Sequence, residues 1–132
     1  MKKLLMLTAI VCSVVLSPVA HAEWTPVSVT RSAVSYVKFD SIRKKDGMVY
    51  YWFLTNFYKP QKTGFNSAQI YIEAECDRFR FRFLNWVTFK GPMASGKISS
   101  SRNSPDKDWR YPNPNSVYEF TLNVVCNHKS MQ

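Results

Sequence analysis

A chain of 132 residues with 18 Lys+Arg against 9 Asp+Glu carries a formal charge of +9. Nine Phe, seven Tyr and four Trp, all beyond residue 22, exclude a disordered tail, and the length excludes a large two-domain enzyme. What fits is one small, basic, β-rich domain behind a leader.

Met1-Lys2-Lys3 is a charged start, Leu4 to Leu16 is an apolar run of 13, and Ala20-His21-Ala22 is a small-x-small ending. That is the build of a secretory signal peptide over residues 1–22, cut before Glu23. The run is short of the roughly 20 apolar residues that span a bilayer, and Ser17-Pro18 interrupts it, so no membrane-spanning anchor is expected. Val11 stands before Cys12 where a lipoprotein signal has Gly, Ala or Ser, so no lipid anchor is expected either. Removing Lys2 and Lys3 with the leader leaves 16 cations against 9 acids on a single domain, residues 23–132, destined for the periplasm or the cell surface.

Strand candidates follow in order: Trp24 to Val29, Val34 to Phe39, Met48 to Tyr58 and Lys97 to Ser101, with Asp46-Gly47 as a turn and Lys59 to Asn66 as a loop. Met48 to Leu54 is bulky in both phases, so that strand is either buried on both faces or leaves rings exposed for a partner or a second copy. The clearest alternation is Arg78-Phe79-Arg80-Phe81-Arg82-Phe83, preceded by Ile70 to Cys76 with Ile70, Ile72, Ala74 and Cys76 in phase. A tight turn at Asp77-Arg78 sets Glu75 opposite Arg80, Glu73 opposite Arg82, Ile72 opposite Phe83 and Ala74 opposite Phe81. Acids then meet bases on one face and apolar groups meet rings on the other, which a slip of one residue would destroy. Glu73 and Glu75 are accordingly read as partners of arginines rather than as a catalytic pair.

From Gly91 to Asn115 the chain is rich in Pro, Ser, Asn and Gly, with Trp109-Arg110-Tyr111 as an anchoring segment. Ser116-Val117-Tyr118-Glu119 matches a capping box and opens a helix from Val117 to Cys126, with Val117, Phe120, Val124 and Val125 on its apolar stripe and Leu122 off it. Cys76 and Cys126, the two cysteines left in an oxidising compartment, form a disulfide that pins this helix onto the inner sheet face.

Catalytic chemistry is sparse. His128 is the sole histidine after the leader and reads as a solvated tail residue; no nucleophile elbow, phosphate-cradling loop or metal-ligand spacing occurs, so no enzyme, cofactor or metal is expected. Export argues against nucleic acid and points the positive charge toward anionic envelope lipid, acidic polysaccharide or an acidic protein patch. Arg43-Lys44-Lys45 is read either as part of such a contact or as a plain solvated turn.

The ordered set Glu23-Trp24, Tyr36 to Arg43, Trp52-Phe53-Leu54, Lys59-Pro60-Gln61, Ile70 to Cys76 before the arginine-rich strand, Gly91-Pro92-Met93, Ser104-Pro105 with Asp108-Trp109-Arg110, and the helix ending in Cys126 resembles the surface-adhesin protein E family. The resemblance implies an α+β fold: an antiparallel sheet of about six strands with a C-terminal helix tied across its concave side by a disulfide. It also implies a bacterial envelope protein, with a homodimer as one form, that binds host glycoproteins such as vitronectin or laminin. No binding residue carries over from the family. The contacts nominated from charge and rings are Arg43, Lys44, Lys45, Tyr51, Lys59 and Lys62. The rival reading is a periplasmic accessory or structural protein without host ligands; a small hydrolase or ligand carrier stands third.

Overall fold

The computed structural model describes residues 23–129. The expected leader over residues 1–22 lies outside them. Seven strands and one helix follow in order: β1 Thr25–Val29, β2 Ala33–Val37, a short 3-10 turn Phe39–Ser41, β3 Arg43–Lys45, β4 Met48–Phe57, β5 Ser67–Glu75, β6 Arg80–Phe89, β7 Ile98–Arg102 and α1 Val117–Asn127. They form one antiparallel sheet in the order β1-β2-β4-β5-β6-β7, with β3 pairing the first residues of β4 beyond the reach of β2.

Register follows the chemistry of the side chains. Glu75 pairs with Arg80, Glu73 with Arg82, Ala74 with Phe81 and Ile72 with Phe83, as the alternation demands. The turn is closed by the Phe79 N–H donating to the Cys76 carbonyl at 3.2 Å, and Phe79 takes a left-handed φ of 50°. Beyond Ile72 the pairing shifts, Tyr71 meeting Asn85, so Leu84 is an extra residue in β6. This bulge resets the phase of the strand and brings Trp86, opposite Ile70, onto the same face as Phe81 and Phe83. Asp46 and Gly47, at φ 52° and 79°, make the two-residue turn that joins β3 to β4. The strand β3 itself departs from expectation: a run of three cations has no alternation, and backbone pairing to Met48, Val49 and Tyr50 makes it a strand.

The inner face carries Val37, Val49, Tyr51, Phe53, Ile70, Ile72, Ala74 and Phe81, and α1 lays Leu122 and Val125 against it. Ser116 caps the helix by accepting the Glu119 N–H at 3.2 Å; the Glu119 carboxylate reaches back to the N–H of Asn115 rather than to that of Ser116. The helix is rotated from the expected stripe. Thr121, Leu122 and Val125 are buried, whereas Phe120 is 53% exposed. The cause is Tyr118, whose ring lies 5.0 Å from Phe81, 5.4 Å from Phe53 and 5.8 Å from Phe83, so that residues four and seven positions on from it face the sheet. Buried Thr121 satisfies its hydroxyl by donating to the Val117 carbonyl at 2.7 Å.

Cys76 and Cys126 are bonded across a separation of 50 residues, with Cα atoms 5.7 Å apart. Closing a loop of that length removes unfolded-state freedom equivalent to about 4 kcal/mol in the chain-entropy model. Cys76→Ser with Cys126→Ser lowers the urea unfolding free energy by about 4 kcal/mol relative to the oxidised protein. Leu122→Ala costs about 2–5 kcal/mol in the same assay, while Phe120→Ala, on the wet side of the helix, changes it by well under about 1 kcal/mol.

Candidate functional site

The nominated residues fall in three places. Arg43, Lys44 and Lys45 are exposed on β3, an edge strand at the end of the sheet that also holds the β5–β6 turn. Lys59 and Lys62 are exposed in the β4–β5 loop at the opposite end, about 30 Å away along β4. Tyr51 is 1% exposed and belongs to the core beneath the helix, so it is removed from the set of surface contacts. Both phases of β4 are aromatic, and the phase that packs under α1 is the odd-numbered one: Val49, Tyr51 and Phe53. Burial pushes the Tyr51 phenol well above its ordinary pKa, and the nearby Tyr118 adds to the effect.

Of the even phase, Leu54 is fully buried, and Tyr50 and Trp52 face outward and supply what the nominated set lacked. Tyr50 and Trp52 on β4 are half-buried, as is Tyr71 on β5, and the Tyr71 ring lies 4.7 Å from Trp52 and 6.2 Å from Tyr50. Cross-strand pairing lines up Arg43, Tyr50, Glu73 and Arg82 as one row on this outer face. Within the row the Tyr50 hydroxyl donates to Glu73 Oε2 at 2.7 Å, and Arg82 Nε donates to Glu73 Oε1 at 2.6 Å. The hydrogen bond to the Glu73 carboxylate, followed by burial, pushes the Tyr50 phenol up to about 12. The next row pairs Glu75 with Arg80 at 3.3 Å, and Arg80 and Arg82 both lie over the Trp109 ring, at 4.4 and 4.7 Å from its centre. These acids are held by arginines, which agrees with their reading as structural partners. His128 departs from its reading as a free tail residue: its ring packs 5.0 Å from Phe39.

Beyond β7 the chain is clamped to β6 by one carboxylate. Asp106 accepts from Arg102 Nη2 at 2.6 Å, Arg110 Nε at 3.0 Å and the Phe83 N–H at 3.2 Å, while its own N–H donates to the Phe83 carbonyl at 2.8 Å. Burial opposes its charge, but the bonds from Arg110, Arg102 and Phe83 outweigh that and hold the carboxyl below its ordinary range. The clamp presents Trp109 to the outer face and sets Arg110 opposite Phe81.

Two open clefts flank the N-terminal end of α1. One, of about 370 Å³, is lined by Ser35, Thr55, Phe57, Val117 and Tyr118 among others, and no Asp, Glu, His, Lys or Arg reaches it. The other, about 340 Å³, lies between Phe81, Phe83, Arg110 and Asn113. Among the described residues no group of three or more His, Cys, Asp or Glu is placed to hold a metal ion, and no helix is long and apolar enough to cross a membrane.

The family model described as surface-adhesin protein E matches residues 24–127. The chain belongs to the surface-adhesin protein E family. The fold is similar to that of protein E from non-typeable Haemophilus influenzae, with a TM-score of 0.59 at 12% identity over 84% of this chain and 81% of that one. Crystal form II of Haemophilus influenzae protein E gives a TM-score of 0.56 at 14% identity over 76% of this chain and 91% of that one. Comparison with curated protein sequences finds no match. The antiparallel sheet, single C-terminal helix and Cys76–Cys126 bridge expected of the family are all present.

The Asp106 clamp is open to measurement. Its lowered pKa places its contribution to stability above the unfolded carboxylate value of 3.8, to be lost as pH falls through the folded value. Asp106→Asn lowers unfolding free energy by about 1.5–3 kcal/mol at neutral pH, and the gap to wild type closes on acidification below about pH 4. Urea titrations of both proteins across that range check it.

Proposed function

We propose that this family member is a non-enzymatic bacterial envelope protein, exported on cleavage before Glu23, that binds other proteins through the outer face of its sheet. The observation that carries the reading is the half-exposed cluster of Tyr50, Trp52 and Tyr71 beside the exposed cations of β3. Rings of this kind supply rigid apolar contact area, and nearby Arg and Lys steer acidic partners. Arg43, directly opposite Tyr50, joins the two features. The family description, surface adhesin, favours display at the cell surface, and the resemblance drawn from the sequence points to host glycoproteins such as vitronectin or laminin as partners.

Immobilised vitronectin or laminin is expected to retain the domain beginning at Glu23 above an unrelated protein of equal charge. Trp52→Ala with Tyr71→Ala, checked for folding by circular dichroism, weakens retention at least about tenfold. Equal retention of the basic control removes the adhesive role. Added protease is expected to cleave the protein on intact cells; full protection would move it to the periplasm and favour an accessory role without host ligands.

A further inference from the structure

Three connections meet at the end of the sheet opposite the disulfide: residues 30–32 between β1 and β2, 58–66 between β4 and β5, and 90–97 between β6 and β7. Backbone bonds join them into one surface. Tyr58 N–H donates to the Ser32 carbonyl at 3.0 Å, and Asn66 N–H donates to the Phe89 carbonyl at 2.8 Å. Met93 N–H donates to Asn56 Oδ1 at 2.8 Å. The ends of six neighbouring strands give this surface a breadth of about 24 Å.

Its charge is all of one sign. Arg31, Lys59, Lys62, Lys90 and Lys97 are exposed there, and among the described residues none of them is in an ion pair. None of the nine Asp and Glu residues of the chain falls in the three connections. Apolar side chains stand among the cations: Val29, Tyr58 and Ile98 are more than half exposed, and Met93 is 37% exposed. These are four of the six large hydrophobic residues exposed among those described, which sets the end apart from the rest of the surface. Cations interleaved with protruding apolar groups match an anionic bilayer, where headgroups take the charge and the acyl boundary takes the side chains. A sulfated polysaccharide would answer the charge and leave Tyr58, Met93 and Ile98 wet. The described chain ends are elsewhere: β1 runs toward this surface from Thr25, and α1 ends at the disulfide.

We propose that this end of the sheet docks on anionic phospholipid membranes, with Arg31, Lys59, Lys62, Lys90 and Lys97 facing the headgroups and Tyr58, Met93 and Ile98 entering the interface. The surface is distinct from the outer-face aromatic cluster, so the two activities separate by mutation.

The test is flotation of the protein beginning at Glu23 with phosphatidylcholine vesicles, with and without phosphatidylglycerol. Binding is expected only with phosphatidylglycerol and weakens as salt rises. Arg31→Gln with Lys90→Gln and Lys97→Gln lowers vesicle affinity about a hundredfold. Arg78→Gln with Lys107→Gln and Lys129→Gln removes the same charge from other parts of the molecule and leaves affinity within a few-fold. Tyr58→Ser with Ile98→Ser weakens binding while its salt dependence persists. The proposal is overturned by absence of binding to the phosphatidylglycerol vesicles, by equal losses in the two triple variants, or by no effect of Tyr58→Ser with Ile98→Ser. Retention on an immobilised sulfated polysaccharide, undiminished in that last variant and without vesicle binding, would assign the surface to glycans instead.

Discussion

Cys76 closes the turn after β5 and Cys126 sits in the last turn of α1, so their bond holds the helix end against one edge of the core. Near the other end of the helix, Tyr118 is gripped by Phe53, Phe81 and Phe83. These two fastenings set the direction and the rotation of the helix together. Once they are made, one side of the sheet is interior, Tyr51 and Phe53 are inaccessible, and Tyr50, Trp52 and Tyr71 are left on the side that faces outward. The covalent fastening restricts the unfolded chain, while the aromatic one selects among folded arrangements.

Much of this was legible in the residues, and the exceptions have physical reasons. The β5–β6 register could be read because two independent patterns, charge on one face and apolar bulk on the other, agree on a single alignment. Asp46-Gly47 announced its turn because both residues tolerate positive φ. The rotation of α1 was hidden because Phe120 and Leu122 are both apolar, and only the stack around Tyr118 decides between them. Tyr51 was misplaced for the same reason, since β4 is bulky in both phases. Leu84 gives no sign of being a bulge, and so the packing of the partly buried Trp86 against the core is not legible in the residues. Arg43, Lys44 and Lys45 are near Lys59 and Lys62 in sequence, whereas the ten-residue β4 between them carries the two groups to opposite ends of the sheet.

Arginine and lysine divide the labour. Every ion pair among the described residues uses arginine, on Glu73, Glu75 or Asp106, and three of those arginines also lie over Trp109 or Phe83. A planar fork suits fixed architecture, and it accounts for the anchoring of the irregular segment before α1. Lysines are left outside these pairs, where they shape the field around the molecule instead of its interior.

The sheet has three open borders, and each discourages another strand from lying alongside. β3 offers only Arg43, Lys44 and Lys45, β1 is interrupted by Pro26 and a bulge, and β7 is short and followed by the Asp106 clamp. Like charge, a missing amide hydrogen and a twisted margin each frustrate side-by-side polymerisation. In a chain rich in β-structure and aromatic residues, these margins work against fibril growth by edge pairing.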